Sequence, residues 1–94
     1  MNKHIQLPIY FYQEGDIVVA TSPALEITTQ GATFDEAKKN FDEVLGIFFE
    51  EYSDLNVLEK VLTECGWSKV ENKMQPPIEI GRMYQSMLMP EFAH

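Results

Sequence analysis

Two histidines, one cysteine and fifteen acidic side chains make up the chemistry-bearing inventory of this 94-residue chain. His4 and His94 stand at opposite ends, and no cluster of histidine, cysteine and carboxylate has metal-ligand spacing. A Ser-His-acid site would have to recruit one of these end residues. Cys65 falls on the apolar side of a helical pattern, where a buried structural thiol is expected; Lys69 is the one nearby cation that could favour a thiolate. The carboxylate pairs Asp35/Glu36, Asp42/Glu43 and Glu50/Glu51 are immediate neighbours on one predicted helix. Adjacent helical positions point in different directions, so each pair reads as solvated surface and not as an acid-base couple. Gly15 and Gly31 are isolated, without phosphate-cradling spacing. The expectation is no catalytic, cofactor or metal site, and no enzyme.

The elements around these residues are legible from period and punctuation. Ile5, Leu7, Ile9 and Phe11 alternate with Gln6, Pro8, Tyr10 and Tyr12, which is strand period with the odd positions inward. Pro8 cannot donate to a ladder and belongs near a strand start or on an edge. Gln13 to Asp16 forms a turn around Gly15. Ile17 to Thr21 is a β-branched second strand that Ser22-Pro23 breaks. Leu25 to Gln30 is expected as the third strand. Thr33-x-x-Glu36 then has the form of a capping box. Phe34, Ala37, Phe41, Val44, Leu45, Phe48 and Tyr52 recur three or four apart, predicting one long helix over Thr33–Tyr52 whose stripe lies on the sheet. Phe41 and Phe48 are expected to be buried there.

A second, shorter helix follows, with Leu55, Leu58, Val61, Leu62 and Cys65 in helical spacing. Asn56-x-x-Glu59 is its possible capping box and Gly66 its left-handed stop. Trp67 to Met74 fits a short fourth strand or a hairpin bent at Asn72-Lys73. Trp67 itself is either a core plug at the sheet edge or an interface anchor, a role in which tryptophan is enriched. Pro76-Pro77 punctuates the chain. Beyond it Ile78 and Ile80 alternate, while Met83, Met87 and Leu88 hint at a short helix. Met83, Met87 and Met89 give an adaptable apolar segment, which either tucks under its own domain or docks on a neighbouring copy.

Seven basic against fifteen acidic residues give a net charge of −8. Phosphate binding needs lysine and arginine, so the balance argues against nucleic acid as a partner. It suits a basic protein partner, although solubility alone also accounts for it. The stretch from Asp35 to Glu64 holds nine acidic and three basic side chains, and so −6 of the total. An apolar fraction of 45% is ordinary for a folded chain of this length, which has room for one modest core. A single cysteine allows no internal disulfide, and no run approaches the roughly 20 apolar residues needed to span a bilayer. With no secretory signal in view, a cytoplasmic location is expected.

The order of these words carries a family resemblance. Glu14-Gly15-Asp16, Ile17-Val18-Val19-Ala20, Ser22-Pro23-Ala24-Leu25 and the run Thr29-Gln30-Gly31-Ala32-Thr33-Phe34-Asp35-Glu36-Ala37 together resemble the HicB-like antitoxin domain over residues 8–52. The resemblance implies a strand-strand-strand-helix-strand module, like a trimmed ribonuclease-H-like fold that has lost catalysis. It also implies self-assembly and a small RNA-cleaving toxin as partner. Such antitoxins often add a C-terminal DNA reader, but residues 67–94 contain only Lys69, Lys73 and Arg82 as basic groups, so promoter binding is not expected.

The reading as a whole is an α+β domain over residues 1–75, with a three- to four-stranded antiparallel sheet under one long helix, and a C-terminal extension over 76–94. The expected function is non-catalytic binding of a small basic toxin through Asp35, Asp42, Glu43, Glu50 and Trp67. The alternative is a stand-alone homo-oligomer on the same fold. In either case Met83, Met87 and Met89 are expected at the contact between copies.

Overall fold

A computed structural model describes residues 4–92. Strand β1 (Tyr10–Glu14) turns through Gly15, at φ +61°, into β2 (Ile17–Ser22). β3 (Ile27–Gly31) completes a three-stranded antiparallel sheet in the order β1-β2-β3. The register sets Phe11 opposite Ala20 and Ser22 opposite Ile27, all on one face. Tyr10 pairs with Thr21 and Tyr12 with Val19, and the period of two puts these on the other face.

The first face carries the core. α1 (Phe34–Glu51) lies across it, with Ala37 and Phe41 buried against Ala20, Leu25 and Ile27. Thr33 caps the helix through its hydroxyl, which accepts from the Glu36 amide at 3.1 Å. This is the backbone half of the anticipated capping box. Two side chains tie helix to sheet: Asn40 Nδ2 donates to the Gln30 carbonyl at 2.8 Å, and the Thr29 hydroxyl reaches the Ala37 carbonyl at 3.5 Å. Phe48 is half-buried at the core's margin and stacks edge-on with Phe49 and Tyr52. The helix has 18 residues against five or six in each strand, and Phe41 is buried while Phe48, seven residues on, is only half-buried.

The third strand starts two residues later than expected. Ser22 to Glu26 forms a tight turn, with the Leu25 amide donating to the Ser22 carbonyl and the Glu26 amide to that of Pro23. Glu26 takes the left-handed conformation at φ +55°. Leu25 is therefore buried from a turn and not from a strand.

α2 (Leu55–Glu64) is capped by Asp54, whose carboxylate accepts from the Asn56 amide at 2.9 Å. The expected Asn56-x-x-Glu59 box is not formed: the cap is Asp54, two residues earlier and in the extended conformation that a cap requires, with Val57 at the position where a box needs Glu or Gln. Its end is a paired stop: the Gly66 amide donates to Thr63 and the Trp67 amide to Leu62, both at 3.0 Å, with Gly66 at φ +94°. The chain then forms a separate hairpin, β4 (Ser68–Val70) with β5 (Lys73–Gln75). Glu71 and Asn72 are both left-handed, as a two-residue turn of matching twist demands. The bend lies at Glu71-Asn72, one residue before the expected position. The main sheet keeps three strands and gains no fourth.

From Pro76 onward the described chain has no regular structure. The short helix hinted at by Met83, Met87 and Leu88 is not formed. A segment this short falls below the length at which a helix holds without a surface to pack on. The radius of gyration, 17.0 Å, exceeds the roughly 12 Å of a compact chain this long, and one dimension reaches 57 Å.

Candidate binding surfaces

Four features stand outside the core: the solvent face of α1, a groove beneath α2, a cleft on the outer sheet face, and the C-terminal arm. The α1 face is the product of the same helical period that buries Ala37 and Phe41. Asp35, Asp42, Glu43 and Glu50 all lie exposed on it. The ion pairs among the described residues are Lys69–Glu59 and Arg82–Glu79, and neither involves α1. Glu50 and Glu51 also sit at the helix C-terminus, where no basic residue occupies the last turn. Negative charge there opposes the helix dipole.

Trp67 belongs elsewhere. It is 5% exposed and its indole Nε1 donates to the Ala24 carbonyl at 2.7 Å. The expected partner anchor is therefore a core plug, drawn inward by the helix stop at Gly66. Desolvating the indole requires a partner for its N–H, and the turn before β3 supplies one.

The groove beneath α2 has a volume of about 500 Å³. Phe49 from α1, Leu55 and Leu58 from α2, and Met74 from β5 line it, together with the charged groups Glu59, Lys69 and Lys73, of which Lys69 pairs with Glu59 at 3.4 Å. Phe49 and Leu55 are exposed there, Leu55 at 76%.

The cleft on the outer sheet face is larger, about 780 Å³, and open. Tyr10, Tyr12, Pro8 and Pro23 meet Ile78, Arg82 and Tyr84 of the arm across it. Arg82 is fixed at 2.8 Å to Glu79, reaches the Tyr10 hydroxyl at 3.3 Å, and stands 5.8 Å from the centre of that ring. The Glu79 hydrogen bonds hold the guanidinium still further above its already high pKa. Sequence reasoning missed this cleft, because Tyr10 and Arg82 are 72 residues apart.

Met83, Met87 and Met89 are exposed at 76%, 72% and 64%. Ile80, Tyr84 and Leu88 are more exposed still. Together they make an exposed apolar run along the arm.

Cys65 is half-buried at the end of α2. Burial pushes its thiol pKa up, and the carboxylates of Glu26 and Glu64 push it the same way. That is the opposite of what a nucleophilic or metal-binding thiolate needs. Among the described residues no three His, Cys, Asp or Glu side chains are grouped to hold a metal ion. His4 is exposed, and His94 lies outside the described residues. No described helix is long and apolar enough to cross a membrane.

No family model matches this chain, and no curated protein or solved structure is found similar to it. Three antiparallel strands followed by a long helix occur in the expected order, whereas the strand expected after the helix stands apart as the β4–β5 hairpin.

Proposed function

We propose that this chain is a non-catalytic protein-binding module of the HicB-like antitoxin kind, whose α1 face receives a small basic, RNA-cleaving toxin. The observation that carries the reading is the exposed acidic row Asp35, Asp42, Glu43 and Glu50, which has no ion-pair partner within the chain among the described residues. Carboxylates at the negative end of a helix each cost about 0.3–1 kcal/mol, so Glu50 and Glu51 lower the stability of the free chain. A cationic partner turns that cost into attraction, steering encounter and speeding association. Trp67 takes no part, since it is committed to the core.

The test is binding of the purified chain to a co-encoded small basic protein, read against salt and against the variants Glu43→Lys and Glu50→Lys. The expected result is association that slows as salt rises, and slows again in each variant while the fold is kept. Tight, salt-sensitive binding of the chain alone to its own promoter would overturn the reading. So would RNA cleavage by the purified chain that disappears when one carboxylate is replaced.

A second reading is a stand-alone self-associating protein on the same fold, located like the first in the cytoplasm. It is favoured by the exposed apolar arm beyond Pro77, which one copy of the chain leaves uncovered. Under it, a co-encoded basic protein fails to bind and the chain sediments as an oligomer.

A further inference from the structure

We propose that residues 80–89 are a latent helix that folds into the groove beneath α2 of a second copy, with the two copies exchanging arms reciprocally. The inference rests on the self-association reading above and specifies its surface. Ile80, Met83, Tyr84, Met87 and Leu88 fall at i, i+3, i+4, i+7 and i+8, which is one stripe of a helix and the anchor spacing of a helix seated in a groove. Pro90 ends the pattern where a helix must stop. The segment has no regular structure in the single chain, and Ile80 and Leu88 are 99% and 98% exposed. A ten-residue helix interrupted by Gly81 needs an apolar floor to form.

The groove is such a floor. Phe49, Leu55, Leu58 and Met74 line it around the buried rim of Trp67. Its occupant is a second copy's arm because the chain's own arm is led away. Pro76 still lines the groove, but Pro77, Ile78 and Glu79 already line the cleft on the outer sheet face, where Arg82 sits on Tyr10. Arg82 falls on the polar side of the proposed helix and can keep its own Tyr10, whereas Tyr84 leaves the chain's own cleft to take its seat on the partner. Two seats related by a two-fold axis take five large apolar side chains per arm out of water, which brings the contact into the roughly 1,200–2,000 Å² range of stable interfaces.

The experiment uses the full chain and two variants at exposed positions, Leu55→Asp in the groove and Leu88→Asp on the arm. Sedimentation velocity is run on each alone and on the two mixed, with circular dichroism over a concentration series. The expected result is a wild-type dimer whose helix signal rises on association by about a third, since ten residues join helices of 18 and 10. Each variant alone is expected to dissociate at concentrations at least about tenfold higher than wild type. The mixture regains dimers, because an intact arm from one then meets an intact groove on the other. A dimer that survives Leu88→Asp, or a mixture that stays monomeric, overturns arm exchange while leaving self-association standing. A wild-type chain that is monomeric at high concentration overturns both.

Discussion

The indole of Trp67 and the carbonyl of Ala24, 43 residues apart in sequence, are joined by a 2.7 Å hydrogen bond inside the core. This bond fastens the stop of α2 to the turn that precedes β3. Replacing Trp67 with Phe keeps most of the apolar volume but leaves the Ala24 carbonyl buried without its donor. The expected loss is about 1–3 kcal/mol, against about 3–5 kcal/mol for Trp67→Ala, where a cavity is added. Urea unfolding of the two variants separates the terms; a Trp67→Phe chain as stable as wild type would mean the hydrogen bond contributes nothing, and equal losses in the two variants would mean the cavity adds nothing.

Gly31 ends β3 where α1 begins to pack on it. A Cβ at this position would meet the Ala37 amide nitrogen at 2.5 Å and the Glu36 carbonyl carbon at 2.8 Å. Both are backbone atoms and cannot swing aside. Gly31→Ala is expected to cost at least about 1–3 kcal/mol by forcing helix and sheet apart. A midpoint of thermal unfolding equal to wild type would show that the helix start has room to shift.

Glu26 holds φ at +55° in the turn that buries Leu25. For a residue with a Cβ this conformation costs roughly 1–2 kcal/mol, which glycine avoids. Glycine also loses more freedom on folding, and the two effects oppose. Glu26→Gly is expected to stabilise the chain by up to about 1 kcal/mol, and Glu26→Val to destabilise it. Denaturant midpoints of the pair check the sign.

Phe41 is 3% exposed, whereas Phe48 is half-buried. Phe41→Ala is expected to cost about 3–5 kcal/mol and Phe48→Ala less, because a partly solvated site loses less apolar burial. Equal losses would show that the last turns of α1 are packed as tightly as its centre.

Cys65 titrates above an ordinary thiol because burial and the nearby Glu26 and Glu64 disfavour its thiolate. A folded-state pKa above the unfolded value stabilises the fold fully below the unfolded value of about 8.5 and loses that contribution as pH rises through the folded value. Alkylation of the native chain is therefore expected to be slower than that of the denatured chain near pH 8, and the difference to shrink at higher pH. Native alkylation as fast as denatured would place the thiol in open solvent.

Much of this fold is local, and for that reason legible in the chain. Alternation before Gly31 and three-four spacing after it give three strands and α1, because side-chain direction follows backbone period, although β1 starts at Tyr10 and not Ile5 and β3 at Ile27 and not Leu25. The Thr33 cap and the Gly66 stop are equally readable, since each satisfies backbone groups within a few residues. So is the acidic row Asp35, Asp42, Glu43 and Glu50, which must face outward once Ala37 and Phe41 face inward. What only the tertiary structure decided depends on partners remote in sequence. Trp67 is an equally good plug or anchor until Ala24 is placed beside it. The β4–β5 hairpin stands apart from the main sheet, a choice that strand period does not contain. The Tyr10–Arg82 cleft exists only because the chain after Pro77 passes that face of the sheet. The arm is the converse case: its helical spacing is written in Ile80, Met83, Tyr84, Met87 and Leu88, but a pattern that short forms structure only where another surface buries it.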